Sequence, residues 1–200
     1  MMKKDLIDIL ELRQQPIIIL VDMDNTIVDY STPIAEELLC KTGVDATYDN
    51  WTFFTENNNE LKKIQKDKQK EDGFFYSLKP IKGALDALRE MEEMGFTVFI
   101  VSSPSVSSDT CHSDKVRWLK KYLGEEWARR LVLTKDKTII YGHVLIDDRI
   151  DVNGVCDGHR PWLHILFTQH YNVQITDKPH IKGWNNWIET IHNALFSGDN

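Results

Sequence analysis

One stretch decides the fold of this chain: Ile17-Ile18-Ile19-Leu20-Val21-Asp22-Met23-Asp24-Asn25-Thr26-Ile27-Val28. Its five consecutive aliphatic residues are typical of a strand that is buried on both faces, as a central strand of a parallel sheet is. Asp22 and Asp24 then follow at the carboxyl end of this strand. Because ligands bind at that end of the strands in open α/β sheets, we expect both carboxylates to lie at the functional edge.

Two acidic side chains this close together need a compensating charge. They repel each other and resist removal from water, so their position at the mouth of a buried strand favours a bound cation. Mg²⁺ is the natural candidate, because it is a hard ion that takes oxygen ligands. The pattern therefore predicts magnesium as a cofactor near Asp22 and Asp24.

The composition is that of a globular chain with a substantial core, since 42% of the 200 residues are hydrophobic and 28% are charged. The formal net charge of −7 argues against a nucleic-acid polymer as partner, because phosphate backbones are bound by clustered Lys and Arg. No apolar stretch is long enough to span a membrane, so no membrane association is expected. The three cysteines are widely spaced and form no CxxC pair, which favours a reducing compartment, most simply the cytoplasm.

Apolar runs and helical patterns alternate along the rest of the chain. After residues 17–21, four further short apolar runs predict strands at 96–101, 131–133, 143–146 and 162–167. Amphipathic patterns predict helices at 4–14, 84–94, 114–123 and 184–196. This alternation is typical of an α/β fold with a doubly wound parallel sheet.

Residues 30–78 lack the alternation of strands and contain mainly helical patterns, which predicts a small helical cap insertion. The insertion leaves the first strand at its carboxyl end, so it is placed to cover the carboxylates as a lid. We therefore expect a core domain made of residues 1–29 and 79–200, and a cap made of residues 30–78.

Polar residues follow four of the predicted strands in a fixed order. Phosphoryl transfer needs a nucleophile in line with the scissile bond, together with cations and hydrogen-bond donors that neutralise the transferring oxygens. In chain order, the residues that could supply these groups are Asp22 and Asp24, Ser102 and Ser103, Lys137, and Asp147 and Asp148.

Each of these residue types suits one role in the reaction. Asp22 can be the nucleophile and form an aspartyl-phosphate, because a carboxylate is ionised at neutral pH. Asp24 can protonate the leaving alkoxide and later deprotonate water. Ser102 or Ser103, with Lys137, would hold the phosphoryl group. Asp148, supported by Asp147, would complete the metal site.

The first motif, with its Asp-x-Asp-x-Thr ending, resembles that of the haloacid dehalogenase-like (HAD) phosphohydrolases, which have a Rossmann-like core. Over roughly residues 17 to 172 the chain resembles the 5'(3')-deoxyribonucleotidases more specifically. The segments that carry this resemblance are Gly73-Phe74-Phe75, Leu78 to Ala84, Ser102-Ser103-Pro104, Thr134 to Thr138, Leu145 to Arg149, and His164 to Thr168.

This resemblance implies a magnesium-dependent phosphatase of nucleoside monophosphates that works through an aspartyl-phosphate. It implies that Lys115 is a second phosphate-binding lysine and that the backbone carbonyl of Asp24 is a metal ligand. Tyr30 falls where the family has an aromatic residue that faces the base. The remaining candidate substrate-binding residues, in the aromatic cap segment, are Trp51, Phe53 and Phe54.

The chain also departs from the family pattern. Asn25 stands where a small glycine is usual, the predicted helix at 4–14 is extra, and the cap sequence aligns poorly. Base and sugar preference are therefore left open, and Phe53 and Phe54 could equally fill the core of the cap.

Alternative functions remain for the same set of residues. A phosphatase of another small monoester, such as a sugar phosphate, would use the same catalytic groups. A phosphate-binding regulator without turnover is disfavoured because every catalytic residue type is present. A carbon-halogen hydrolase is disfavoured because it would not need Asp147 and Asp148 for a metal. The predicted partner is a small phosphorylated molecule, with a homodimer left open.

Overall fold

A computed structural model describes residues 15–43, 59–156 and 158–196 of the chain. Within these residues the main sheet has six strands, all parallel, in the order β5-β4-β1-β6-β7-β8. This arrangement confirms the predicted doubly wound α/β fold. The strands of the main sheet are β1 (Ile18–Val21), β4 (Thr97–Ser102), β5 (Leu131–Leu133), β6 (Val144–Asp147), β7 (Leu163–Phe167) and β8 (His180–Ile181).

The aliphatic run occupies the middle of the sheet, as predicted. Strand β1 pairs with β4 on one side and with β6 on the other. Ile19 and Val21 face the larger hydrophobic cluster, whereas Leu20 faces a smaller cluster across the sheet. Because these three side chains are at most 1% exposed, β1 is buried on both faces and only its ends are open to polar groups.

The order of the strands reverses beside β1. From β1 the chain proceeds outward to β4 and β5, and then crosses to β6 on the opposite side of β1. Such a reversal opens a crevice at the carboxyl ends of the two strands that flank it, here β1 and β6. The residues at this crevice are Asp22, which follows β1, and Asp147 and Asp148 at the end of β6.

Seven α-helices lie in the described residues. The helix predicted at 114–123 begins earlier, at Cys111, and the one predicted at 184–196 opens with a 3-10 turn, Trp184–Asn186. The predicted helix at 4–14 lies outside the described residues. The helices are α1 (Ser31–Thr42), α2 (Asn59–Gln69), α3 (Phe74–Ser77), α4 (Ala84–Glu93), α5 (Cys111–Tyr122), α6 (Glu125–Ala128) and α7 (Trp187–Phe196).

A second, two-stranded sheet joins the two ends of the insertion. Its strands are β2 (Val28–Asp29) and β3 (Lys79–Pro80), which pair antiparallel. Between them lie helices α1, α2 and α3, whose buried residues include Leu38, Leu61 and Phe75. The division into a core and a cap at residues 30 and 78 remains our proposal. None of the described helices has both the length and the apolar character that crossing a membrane requires.

Candidate active site

Three carboxylates converge at the crevice between β1 and β6. Asp22, Asp147 and Asp148 are all buried, and one carboxylate oxygen from each lies within 4.8 Å of the others. The backbone N–H of Asp22 donates to the carbonyl of Ile146 at 2.8 Å, which continues the parallel ladder just past the end of β1. The fold therefore holds these side chains at fixed positions, and their oxygen atoms suit a hard divalent cation.

A buried lysine lies among these carboxylates. Lys137 begins a 3-10 turn, Lys137–Ile139, and its Nζ donates to Oδ1 of Asp22 and to Oδ2 of Asp147, the latter at 2.6 Å. Burial disfavours the charged form of Lys137, but the charges of Asp147 and Asp22 outweigh burial and raise its pKa above the ordinary value. Lys137 therefore offsets part of the negative charge of the clustered carboxylates. Its ammonium group is placed where a transferring phosphoryl group at Asp22 could contact it.

The carboxylates still carry more negative charge than Lys137 offsets. Burial raises the pKa of Asp22 to about 6, against the opposing charge of Lys137. Burial, followed by repulsion from Asp147 and Asp22, raises the pKa of Asp148 well above its ordinary range. A carboxylate that is costly to ionise by itself is stabilised by a bound cation. The donor set thus fits a divalent metal ion in both ligand chemistry and charge.

Asp24 is held by a different lysine, on the β4 side of the crevice. Lys115 Nζ, on helix α5, lies 2.7 and 2.6 Å from the two carboxylate oxygens of Asp24 and 3.0 Å from Oγ of Ser102. The Lys115 side chain is fully buried, whereas that of Asp24 is 25% exposed. The carboxylate of Asp24 is therefore already bound to Lys115. This agrees with the role that the family resemblance implies for Asp24 at the metal, which uses the backbone carbonyl and not the side chain.

Two adjacent serines, both candidate phosphate ligands, have different surroundings. Ser102 is the last residue of β4 and is fully buried beside Lys115. Ser103 directs its hydroxyl to the carbonyl of Thr134, 3.1 Å away, where it ties the loop after β4 to the loop after β5. The geometry thus brings Ser102 to Lys115, while phosphate binding by either serine remains a prediction.

The segment after β7 supplies site residues that sequence reasoning missed. The hydroxyl of Tyr171 donates to Oδ2 of Asp148, and Nδ2 of Asn172 donates to the backbone carbonyl of Asp148 at 2.7 Å. Asn172 is fully buried and also binds the carbonyl of Phe167 at 2.9 Å. The rule that identified Asp22 could have identified this segment too, because polar residues follow the apolar strand β7 at the same edge of the sheet.

Asn25, the departure from the family's glycine, has a conformational explanation. Its φ is 59°, in the left-handed region that glycine enters freely and that asparagine tolerates better than most residues. Its Nδ2 donates to the hydroxyl of Tyr171 at 3.2 Å, and its Oδ1 accepts from the N–H of Ser31 at 3.0 Å. Asn25 therefore keeps the backbone turn and adds contacts that a glycine cannot make.

Tyr30 is packed inside the helical insertion. Its ring stacks on Phe75 and meets Phe74 edge-on, and its side chain is among the buried residues. Its hydroxyl accepts hydrogen bonds from Gln65 at 2.8 Å and Gln69 at 2.5 Å, and burial raises its pKa to about 12. Contact between Tyr30 and a base remains a prediction. The other aromatic candidates, Trp51, Phe53 and Phe54, lie outside the described residues.

Comparison with known proteins points to one family. The family model described as 5' nucleotidase, deoxy (pyrimidine), cytosolic type C protein matches residues 15–195. The human protein named 5'(3')-deoxyribonucleotidase, cytosolic type, is 41% identical over 124 residues, which are 60% of this chain and 61% of that protein. A Bordetella bronchiseptica protein with a provisional 5'(3')-deoxyribonucleotidase name is 39% identical over 128 residues, 64% of this chain and 67% of that protein.

Solved structures support the fold. A magnesium-bound HAD hydrolase of Bacillus subtilis, YfnB, superposes with a TM-score of 0.52 at 12% identity, covering 92% of this chain and all of that one. At this level of identity the similarity concerns the fold of the core.

Proposed function

This chain belongs to the deoxy (pyrimidine), cytosolic type C 5' nucleotidase family, and from that premise we propose that it is a phosphoric monoester hydrolase acting on (deoxy)nucleoside monophosphates. One observation carries the proposal: buried Asp22 contacts a buried lysine, Lys137, and lies beside two further buried carboxylates at the crevice of the sheet. A nucleophilic carboxylate needs such cationic surroundings to approach a phosphate dianion. The names of the human and Bordetella relatives support the substrate class.

In the proposed reaction Asp22 attacks phosphorus with one carboxylate oxygen. The bond from phosphorus to the ester oxygen breaks, and the departing nucleoside oxygen takes a proton from Asp24, which enters this step in its protonated form. Asp24 then removes a proton from water, and the water oxygen attacks the aspartyl-phosphate to release inorganic phosphate and regenerate Asp22. Asp24 is suited to both proton transfers because its side chain is 25% exposed, against 9% for Asp22, and can exchange protons with solvent.

Lys137, Lys115 and Ser102 would stabilise the transferring group. The two lysines each place a hydrogen-bond donor beside one of the two proposed catalytic aspartates, Lys137 at Asp22 and Lys115 at Asp24, and Ser102 lies beside Lys115. Their buried positions exclude water and strengthen their interaction with the charge that develops on the phosphoryl oxygens. Pre-organised donors in such a site need not reorient as the reaction proceeds.

We propose that the metal is Mg²⁺ and that Asp22, Asp148 and the backbone carbonyl of Asp24 hold it. Asp147 would support the site indirectly, because its Oδ2 already accepts from Lys137 and its Oδ1 accepts from the N–H of Arg149 at 2.9 Å. When bound, the ion offsets the repulsion between Asp22 and the substrate phosphate. Tyr171 and Asn172 hold Asp148 in place through its side chain and its carbonyl.

The preference within the substrate class rests on the cap and on resemblance. We propose that 2'-deoxyribonucleotides with a pyrimidine base are the better substrates, with Tyr30 and the aromatic residues at 51, 53 and 54 as the candidate base contacts. A base stacked on an aromatic ring gains about 1 to 3 kcal/mol, enough to select nucleotides over esters without a base. A cytoplasmic location also remains part of the proposal.

A phosphate-release screen tests the proposed activity. Purified protein with Mg²⁺ is given 5'- and 3'-monophosphates of ribo- and deoxyribonucleosides, together with sugar phosphates. We expect a nucleotide to have the highest kcat/KM, and a sugar phosphate that outcompetes every nucleotide would contradict the substrate class. Chelation should abolish turnover and added Mg²⁺ should restore it, whereas Ca²⁺ should not, because its larger and looser coordination misplaces the nucleophile.

The nucleophile is tested by Asp22→Asn. The amide cannot attack phosphorus, so turnover should fall by at least about a thousandfold while the folded state persists. Asp151→Asn, at an exposed aspartate beyond the site, serves as the matched control. Phosphate release near the normal rate from folded Asp22→Asn protein would refute the assignment.

A further inference from the structure

A second cleft lies beside the catalytic crevice and is not used by the proposed reaction. It has a volume of about 730 Å³ and opens between the insertion and the core. One wall is formed by the start of helix α1 and by strands β2 and β3, and the other by residues 167–170, Val173, Lys182 and Gly183. None of the carboxylates Asp22, Asp24, Asp147 and Asp148 lines it, so it is a separate cavity.

The lining of this cleft is positively charged. Lys79, Lys82 and Lys182 line it, against one acidic residue, Asp29. All three lysines are exposed, and none of them forms an ion pair with a residue in the described part of the chain. Asp29 is already engaged, because its Oδ1 accepts from the N–H of Thr32 at 3.1 Å. Although the net charge of the chain is −7, the described residues thus place three lysines and one aspartate around this cavity.

Other lysines of the chain are balanced in a different way. Lys41, Lys63 and Lys68 each lie within 3 Å of an acidic partner on the same helix or the turn that follows it. In such a pair the carboxylate neutralises the lysine, so the lysine attracts a bound anion only weakly. The three cleft lysines come instead from two segments that the fold brings together: Lys79 and Lys82 lie in one, and Lys182 lies in the other.

The remaining lining limits the kind of molecule that fits. Cavities of roughly 300 to 1,000 Å³ suit small molecules, and this one has apolar side chains in its walls as well as lysines. Ile81, Phe167 and Val173 offer apolar surface, and Val173 is 62% exposed. A free inorganic ion would leave this surface uncovered. A ligand that combines an apolar or ring portion with several negative charges would use both parts of the wall.

We propose that this cleft is a binding site for a small organic molecule that carries two or more negative charges, such as an organic polyphosphate. Two residues of its lining, Asn25 and Gln169, belong to a chain of hydrogen bonds that leads to Asp148. Asn25 donates to Tyr171, which donates to Asp148, and Gln169 Nε2 donates to the carbonyl of Asn25 at 2.6 Å. A ligand in the cleft would therefore contact Asn25 and Gln169, which are linked through Tyr171 to Asp148. It would also contact both walls of the cleft, one from the start of the insertion and one from the core.

The proposal does not depend on the proposed catalytic function, because binding is measured on metal-free protein. Inorganic tripolyphosphate serves as the probe for the anionic part of the ligand, and its dissociation constant is obtained by calorimetry. The test variant is Lys82→Glu with Lys182→Glu. The matched control is Lys62→Glu with Lys66→Glu on helix α2, which changes the net charge equally and lies outside the cleft.

We expect the cleft variant to weaken probe binding by at least about tenfold and the control by no more than about twofold. In the wild type, binding should also weaken as sodium chloride is raised, because the lysines are exposed to solvent. Equal affinity of the cleft variant and the wild type, or a dissociation constant above about 10 mM for the wild type, would overturn the proposal. If charge reversal prevents folding, Lys82→Gln with Lys182→Gln gives the same comparison with a smaller change of charge.

Discussion

Lys115 and Asp24 form an ion pair in which a fully buried ammonium contacts both oxygens of a partly exposed carboxylate, at 2.7 and 2.6 Å. The pair joins helix α5 to the turn after β1, two elements that lie 91 residues apart along the chain. Ser102 Oγ is the third partner of the same ammonium, at 3.0 Å. The residue proposed to transfer the proton is thus oriented by a lysine that also contacts the serine proposed to bind phosphate.

The first prediction follows from this pair. Lys115→Met should lower kcat/KM by about 10²- to 10³-fold, because one preorganised donor to the phosphoryl oxygens is lost and Asp24 is no longer oriented. The loss of folding stability should be small, since methionine keeps much of the buried side-chain volume and the freed carboxylate of Asp24, which is 25% exposed, can reach water. Phosphate release and urea unfolding should both be measured.

Lys121→Met is the matched control for this variant, because Lys121 lies on the same helix but its side chain is exposed. It should keep activity close to the wild type. If Lys115 were needed only for folding, the folded fraction of Lys115→Met protein would turn over at the normal rate.

The second prediction separates the two catalytic aspartates. Asp24→Asn should be impaired by about 10²- to 10⁴-fold on a nucleoside monophosphate, through loss of the proton that the leaving oxygen needs. On an aryl phosphate, whose leaving group needs little protonation, the defect should shrink. Asp22→Asn should be equally inactive on both substrates. A defect of Asp24→Asn that is the same on both esters would assign Asp24 another role.

The third prediction concerns the hydroxyl that holds Asp148. Tyr171→Phe removes the hydrogen bond to Oδ2 of Asp148 and the bond from Asn25 without removing the ring. Loss of a partner that orients a metal ligand typically weakens metal binding by about 10- to 100-fold. We expect a shift of that size in the Mg²⁺ dissociation constant, measured directly by calorimetry, and a partial recovery of kcat when Mg²⁺ is saturating.

Tyr141→Phe provides the control for Tyr171, because Tyr141 is 62% exposed and lies outside the site. Its Mg²⁺ affinity should equal that of the wild type. Unchanged affinity in Tyr171→Phe would mean that the hydroxyl does not support the metal ligand.

The fourth prediction is a pH dependence of stability that arises from His164. This residue is 7% exposed, and neither of its ring nitrogens has a hydrogen-bond partner within the described structure. Burial lowers the pKa of His164 to about 4, whereas an unfolded histidine titrates near 6.5. Between these values the unfolded chain binds a proton that the folded protein cannot, so stability falls as the pH drops from about 6.5 to about 4.

At pH 5 this effect should cost about 2 kcal/mol of unfolding free energy relative to pH 7.5. His164→Leu removes the titrating group, so it should lose correspondingly less stability over the same interval. Urea unfolding of both proteins at the two pH values measures the difference. Equal losses would show that His164 is protonated as readily in the folded protein as in the unfolded chain.

Much of the core could be predicted because its signals are local. The aliphatic run before Asp22 and the one before Asp147 each specify a buried strand through their own composition. Parallel strands bring their carboxyl ends to one edge, so the carboxylates could be expected to meet before any contact was known. Strand β8 could not be expected in this way, because two residues, His180–Ile181, carry no periodicity.

The sequence by itself determined the fold class and the candidate catalytic residues, since both depend on short-range patterns and on a general rule of sheet geometry. Only the tertiary structure decided how charges are paired within the site. It placed Lys137 between Asp22 and Asp147, committed Lys115 to Asp24, and brought Tyr171 to Asp148. These contacts depend on side-chain packing across the sheet, where residues distant along the chain share one low-dielectric space, and no local pattern encodes which donor reaches which carboxylate.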